Sequence, residues 1–138
     1  MLMKKLFFPA IAMSILVSCS PKMSPDNGWS GSKWVVIQLN GNPVQTSGSD
    51  RDAHIQFMPD QKRYSGTSGC NRMTGSYEID NKRKIKFGDA AITKMACEDM
   101  AFENSFLSAL KSVDNYVSEE NTLLLKSGER VVLKLNKR

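Results

Sequence analysis

Apolar residues in this chain come in short blocks cut by turn signals, and only one block has helical spacing; that rhythm limits the fold more than any other feature. Trp34 to Leu39 is a β-branched run ending at Asn40-Gly41-Asn42-Pro43, a strong turn signal. Ala53 to Met58 alternates, which puts Ala53, Ile55 and Phe57 on one face and His54 and Gln56 on the other, toward solvent. After a turn at Pro59-Asp60-Gln61-Lys62, Arg63 to Gly69 is small and glycine-rich, a strand that bends or admits a neighbouring backbone. Ser76 to Asp80 and Arg83 to Phe87 flank Asn81-Lys82 as a hairpin, and Ala91 to Ala96 adds a short strand. Tyr116 to Ser118, Thr122 to Lys126 and Arg130 to Leu135 complete the set. The helical exception starts at Asp99, a fair N-cap. Glu103 favours the positive end of that helix, and Phe102, Phe106, Leu110 and Val113 follow at spacings of 4, 4 and 3. The expected fold is mainly β with one helix: a small, strongly curved antiparallel sheet or β-barrel closed by a single α-helix.

The N-terminus reads as an export signal. Lys4 and Lys5 precede an apolar run from Leu6 to Val17, and Leu16-Val17-Ser18-Cys19 is a small-residue site ending in cysteine. Such a run is shorter than the ~20 apolar residues a bilayer span needs. The site resembles the bacterial lipobox, so residues 1–18 are expected to be a signal peptide and Cys19 the lipidated residue. Acyl chains there would attach the protein at ~0.8 kcal/mol per buried methylene. Ser20 stands where an aspartate would resemble an inner-membrane retention signal, which points to the outer membrane. Residues 19–32, rich in Ser, Pro, Gly, Asn and Asp, read as a flexible tether, with the folded domain over 33–138.

Removing 18 of 138 residues leaves 120, enough for one domain. Without Lys4 and Lys5, 17 basic residues face 14 acidic ones. The Lys82-Arg83-Lys84 and Lys86 group alternates around Ile85 as a solvated strand does, so no nucleic-acid partner is expected. Beyond Cys19, Cys70 and Cys97 form an even pair in an exported domain. They read as a disulfide across 27 positions, worth roughly 3–4 kcal/mol on the chain-entropy model; two free thiols are the alternative. A metal site has little support, since His54 is the single histidine and neither cysteine sits in a Cys-x-x-Cys pair.

The densest motif is Gly69-Cys70-Asn71-Arg72, followed at a hairpin's distance by Thr93-Lys94-Met95-Ala96-Cys97. With Trp34 and Asn40-Gly41 ahead and the terminal strands behind, this arrangement resembles the META domain family, which includes the HslJ-like heat-shock lipoproteins. The resemblance implies a barrel-like β domain with a helix, anchored in the envelope and associated with stress, and it carries no catalytic residue. Asn71 and Arg72 have two readings: turn architecture, or exposed contacts for a partner.

No cofactor is expected. His54 lies beside Asp52, but a triad also needs a positioned nucleophile and oxyanion donors. Phosphate-cradling and dinucleotide-binding loops are missing from the sequence. The expected function is therefore non-enzymatic: a lipid-anchored module binding another envelope component. A lipocalin-like binder of a small apolar ligand and a structural accessory subunit are the other readings. Cys19→Ala is expected to leave the protein unlipidated and largely soluble on cell fractionation; an unchanged membrane fraction would defeat the anchor.

Overall fold

The computed structural model describes residues 28, 29 and 31–138. The signal segment 1–18, the lipidation residue Cys19 and the tether as far as residue 27 lie outside the described residues.

In chain order the strands are β1 (Lys33–Leu39), β2 (Asn42–Pro43), β3 (His54–Met58), β4 (Arg63–Thr67), β5 (Arg72–Ile79), β6 (Ile85–Phe87) and β7 (Ala91–Ile92). The helix α1 (Met100–Ser112) follows, then β8 (Asn115–Ser118), β9 (Thr122–Ser127) and β10 (Arg130–Lys137). One antiparallel sheet runs in the order β6-β5-β4-β3-β1-β10-β9-β8, with β2 paired to β1 and β7 to β5. Its two ends meet at a single bridge, Lys84 to Asn115. Ile85 N donates to Asp114 O (3.3 Å) and Tyr116 N to Arg83 O (3.1 Å). The sheet is thus nearly closed into a barrel. The long first-to-last pairing of β1 with β10 makes this closure possible, and a register shift between Val36 and Gln38 bends β1 where the curve is needed.

The alternating faces fill the interior. Trp34 pairs with Ile55 and Val36 with Leu135, so the inward residues stack across the sheet. Phe57 lies between Trp29 and Tyr77, with ring centroids 5.2 Å away on either side, and Tyr64 meets Phe87 edge-on at 5.3 Å. The helix covers the core with Phe106, Ala109 and Leu110, and Val113 follows as its C-cap.

Trp29 was expected to be part of the tether, yet it is only 1% exposed and its Nε1 donates to Ser118 Oγ at 2.9 Å. An indole offers more area to bury than the surrounding polar residues can offset, so the packed structure takes in residues ahead of Lys33. The helical stripe also differs by a step: Glu103 takes the buried place and Phe102 is half-buried. His54, expected at the solvent face, is buried as well. The remaining expected strands are present, with β5 starting earlier and the strand at Ala91 shorter than the pattern suggested.

Two glycines allow the tight curvature. A Cβ on Gly66 would lie 1.9 Å from the His54 carbonyl oxygen, and one on Gly75 would lie 2.6 Å from Tyr64 Oη. The first contact is with backbone and has no side chain to move aside. Gly66→Ala is expected to cost about 2–3 kcal/mol, in the upper part of the overpacking range. A urea midpoint indistinguishable from that of the natural chain would show that β3 and β4 separate freely.

Candidate functional site

The turn joining β4 to β5 carries the Gly-Cys-Asn-Arg motif, closed by Ser68 N donating to Asn71 O at 2.9 Å. Asn71 is not a surface contact: it is 1% exposed and its polar groups are all used. Its Nδ2 donates to Glu103 Oε1 (2.8 Å) and its backbone N to Glu103 Oε2 (3.2 Å). Its Oδ1 accepts from Thr93 Oγ1 (3.1 Å) and Met95 N (2.7 Å). Ser68 Oγ completes the cluster by donating to Glu103 Oε2 at 2.5 Å. One asparagine therefore joins the turn, the segment after β7 and the helix. The partner-binding expectation is corrected for Asn71, whose side chain is consumed by the fold. Arg72, on the opposite face of the strand start, is exposed.

Glu103 is a buried carboxylate 1% exposed. Burial pushes its pKa up, but the hydrogen bonds from Ser68 and Asn71 outweigh this and hold it below the ordinary value of 4.5. It sits in the first turn of α1, where the helix dipole also favours negative charge. Beside this cluster, Cys70 and Cys97 form a disulfide with a Cα–Cα distance of 6.2 Å, within the ordinary range. Asp99 caps the helix, its Oδ1 accepting from Phe102 N at 3.1 Å.

A second carboxylate organises the loop between β2 and β3. Asp52 accepts from Ser47 N, Ser47 Oγ and Gly48 N, each at 2.8 Å, and pairs with Arg138 at 2.9 Å. The Ser47 N–H is the main cause of a pKa held far below the usual carboxylate range; the Ser47 hydroxyl, Arg138 and Gly48 N–H add to it against the effect of burial. His54 does not form a dyad with this carboxylate. Its Nδ1 lies 2.8 Å from the Asp52 backbone oxygen, and burial lowers its pKa. The histidine is held inside the turn by that carbonyl, which is why alternation misplaced it.

Between the Asp52 loop and the Asn71 turn lies a solvent-open groove of about 1240 Å³. Its walls include Leu39, Val44, Arg51, Arg72, Met95 and Phe102. Met95, in the second half of the sequence motif, is 52% exposed. Among the described residues no group of three or more His, Cys, Asp or Glu side chains is placed to hold a metal ion.

The META domain model matches residues 28–138, which takes in every element above. The chain belongs to the META domain family. Among solved structures, the META fold is similar to that of a protein from Burkholderia xenovorans determined by NMR. The two are 26% identical over 95% of this chain and 99% of the other, with a TM-score of 0.62. It also resembles the crystal structure of a DUF4847 family protein from Bacteroides vulgatus, 18% identical over 80% of this chain and 95% of the other, with a TM-score of 0.59. That second likeness is one of fold alone. No curated protein matches the sequence.

In this META domain the role of Glu103 was not legible from its position near a helix start. A glutamate three residues before Phe106 and seven before Leu110, on the apolar stripe itself, was the available signal. Glu103→Gln sets an amide N–H₂ against Asn71 Nδ2, and Asn71→Asp removes a donor Glu103 needs; each is expected to cost about 1–3 kcal/mol. The double substitution restores a donor–acceptor match and should cost clearly less than the two singles together. Because the folded pKa of Glu103 is depressed, its contribution is present above pH 4.5 and is lost as pH falls through the lower folded value. Acid titrations should therefore be flatter for Glu103→Gln; strictly additive losses and an unchanged acid limb would sink the clasp.

Proposed function

We propose that this META domain is a lipid-anchored, non-enzymatic module of the cell envelope that binds another envelope component, and that the groove between the Asp52 loop and the Asn71 turn is where it binds. The observation that carries this reading is the groove itself, walled by exposed Met95, half-buried Phe102 and exposed arginines. Aromatic, methionine and arginine side chains are the types enriched where proteins meet. A small ligand held inside the barrel has less support, because the interior is occupied by Trp29, Trp34, Phe57, Tyr64, Phe87 and the leucines of β9 and β10. The chemistry of the groove also supports binding over catalysis: its buried carboxylate, Asp52, is engaged in holding backbone groups, and Glu103 behind the Asn71 turn is engaged in the same way.

Anchoring through Cys19 and a role in stress come from the N-terminal motif and the family resemblance. A chain tethered at Cys19 would enter the fold through Trp29 and Lys33, and Lys33 pairs with Asp50 on the groove wall, so the entry lies beside the groove. The test is in-cell photocrosslinking of the anchored protein from Met95, with Lys82 at the far end as control, before and after heat shock. The expected result is a discrete protein adduct from Met95 that Lys82 does not give and that grows with heat shock. Equal, diffuse labelling from both positions would overturn the reading.

A further inference from the structure

We propose that the groove takes an extended segment of a partner protein in which an acidic side chain flanks an apolar one. This rests on the reading of the domain as a binding module and names the chemistry of what it binds. At about 1240 Å³ the groove is larger than the ~300–1,000 Å³ of ordinary small-molecule sites. It is partly open to solvent, so a chain segment can enter it from outside. Its apolar surface is Leu39, Val44 and Phe102, with Met95 at the rim, an unbranched side chain that adapts to different apolar partners.

The charges on its walls are unequal in what they have left to offer. Asp50 is paired with Lys33 at 2.7 Å and Asp52 with Arg138 at 2.9 Å. Asp99 is engaged at the helix start. Arg51 and Arg72 are exposed, and neither is in an ion pair among the described residues. A guanidinium presents a fixed fork of donors that matches a carboxylate. The two carboxylates on these walls that have no ion pair, Glu98 and the helix cap Asp99, stand together at the helix start rather than on the arginine-bearing loop and turn. An entering segment is thereby given a direction: its acidic residue lies toward Arg51 and Arg72, its apolar residue over Met95 and Phe102, and no acid toward Glu98 and Asp99.

The test uses the full chain in detergent micelles and a displayed library of random short peptides. Selection is expected to enrich sequences with Asp or Glu next to an apolar residue. A fluorescent peptide of the selected consensus should bind with anisotropy that saturates, and Arg72→Glu or the Arg51→Ala/Arg72→Ala pair should weaken it about tenfold. Selection on Arg72→Glu should shift the consensus toward Lys or Arg. Thermal melts of the variants, expected to match the natural chain because both arginines are exposed, separate lost binding from lost folding. A consensus without acids, or acidic peptides indifferent to both arginine variants, would overturn the proposal. Saturable binding of dodecanoate with no peptide enriched would assign the groove to a small amphiphile and overturn it too. If crosslinking from Met95 still yields a discrete envelope adduct in those cases, the binding-module reading stands while this chemistry falls.

Discussion

The carboxylate of Glu103 is the point on which one end of this domain depends. A carboxylate removed from water without a partner costs several kcal/mol, so it must be met by donors that are already in place. Ser68 Oγ, Asn71 N and Asn71 Nδ2 do this, and they come from a turn far away in sequence. The helix can therefore dock only when the turn has its native shape. The same asparagine then holds Thr93 and Met95, so three separate stretches of chain are made mutually dependent. The disulfide from Cys70 to Cys97 joins two of these stretches. It acts mainly by restricting the unfolded chain, whereas the hydrogen bonds act on the folded one, so the two restraints reinforce each other without duplicating one another.

The facing wall of the groove repeats this device. Asp52 gathers the N–H groups of Ser47 and Gly48 and the guanidinium of Arg138, giving a loop without regular structure a fixed form. Each wall is thus shaped by a buried anion that collects donors. The result is a groove whose backbone walls are fixed by hydrogen bonds and whose exposed side chains include Met95 and the two arginines. Walls held in place before a contact forms leave only side chains to be ordered.

Most of the fold was legible because it rests on period and punctuation. The alternation of β3, the turn at Asn40-Gly41 and the capped, striped helix are local signals, and each gave an element close to its observed bounds. The misjudged residues are those whose environment is set by distant chain. Trp29 sits among polar neighbours and is buried because β8 supplies Ser118 and Tyr116 and β3 supplies Phe57. His54 obeys the alternation, but its own place on that face is covered while Gln56 stays exposed, and Asp52 O binds its ring. Asn71 looked like either turn chemistry or a contact; its four hydrogen-bonding partners, Ser68, Thr93, Met95 and Glu103, lie up to 32 positions away, which no local pattern encodes. Arg72 remains on the surface because it precedes Met73, whose inward direction sends its neighbour outward.

The direction in which the chain enters gives these features a common geometry. Trp34 and Leu39 stand at opposite ends of β1, the first beside Trp29 and Ser118, the second on the groove. From Cys19 to Asn27 a fully extended chain reaches no more than about 30 Å. A segment of that reach, read from its composition as a flexible tether, limits how far the domain stands from residue 19 and leaves its orientation free. Lys33 and Arg138, bonded to each other next to that entry, reach Asp50 and Asp52 on the groove wall, so the chain enters beside the groove. The two ends of the folded chain and the Asp52 wall of the groove are thereby held as one unit, through Arg138 N on Lys33 O and the two ion pairs.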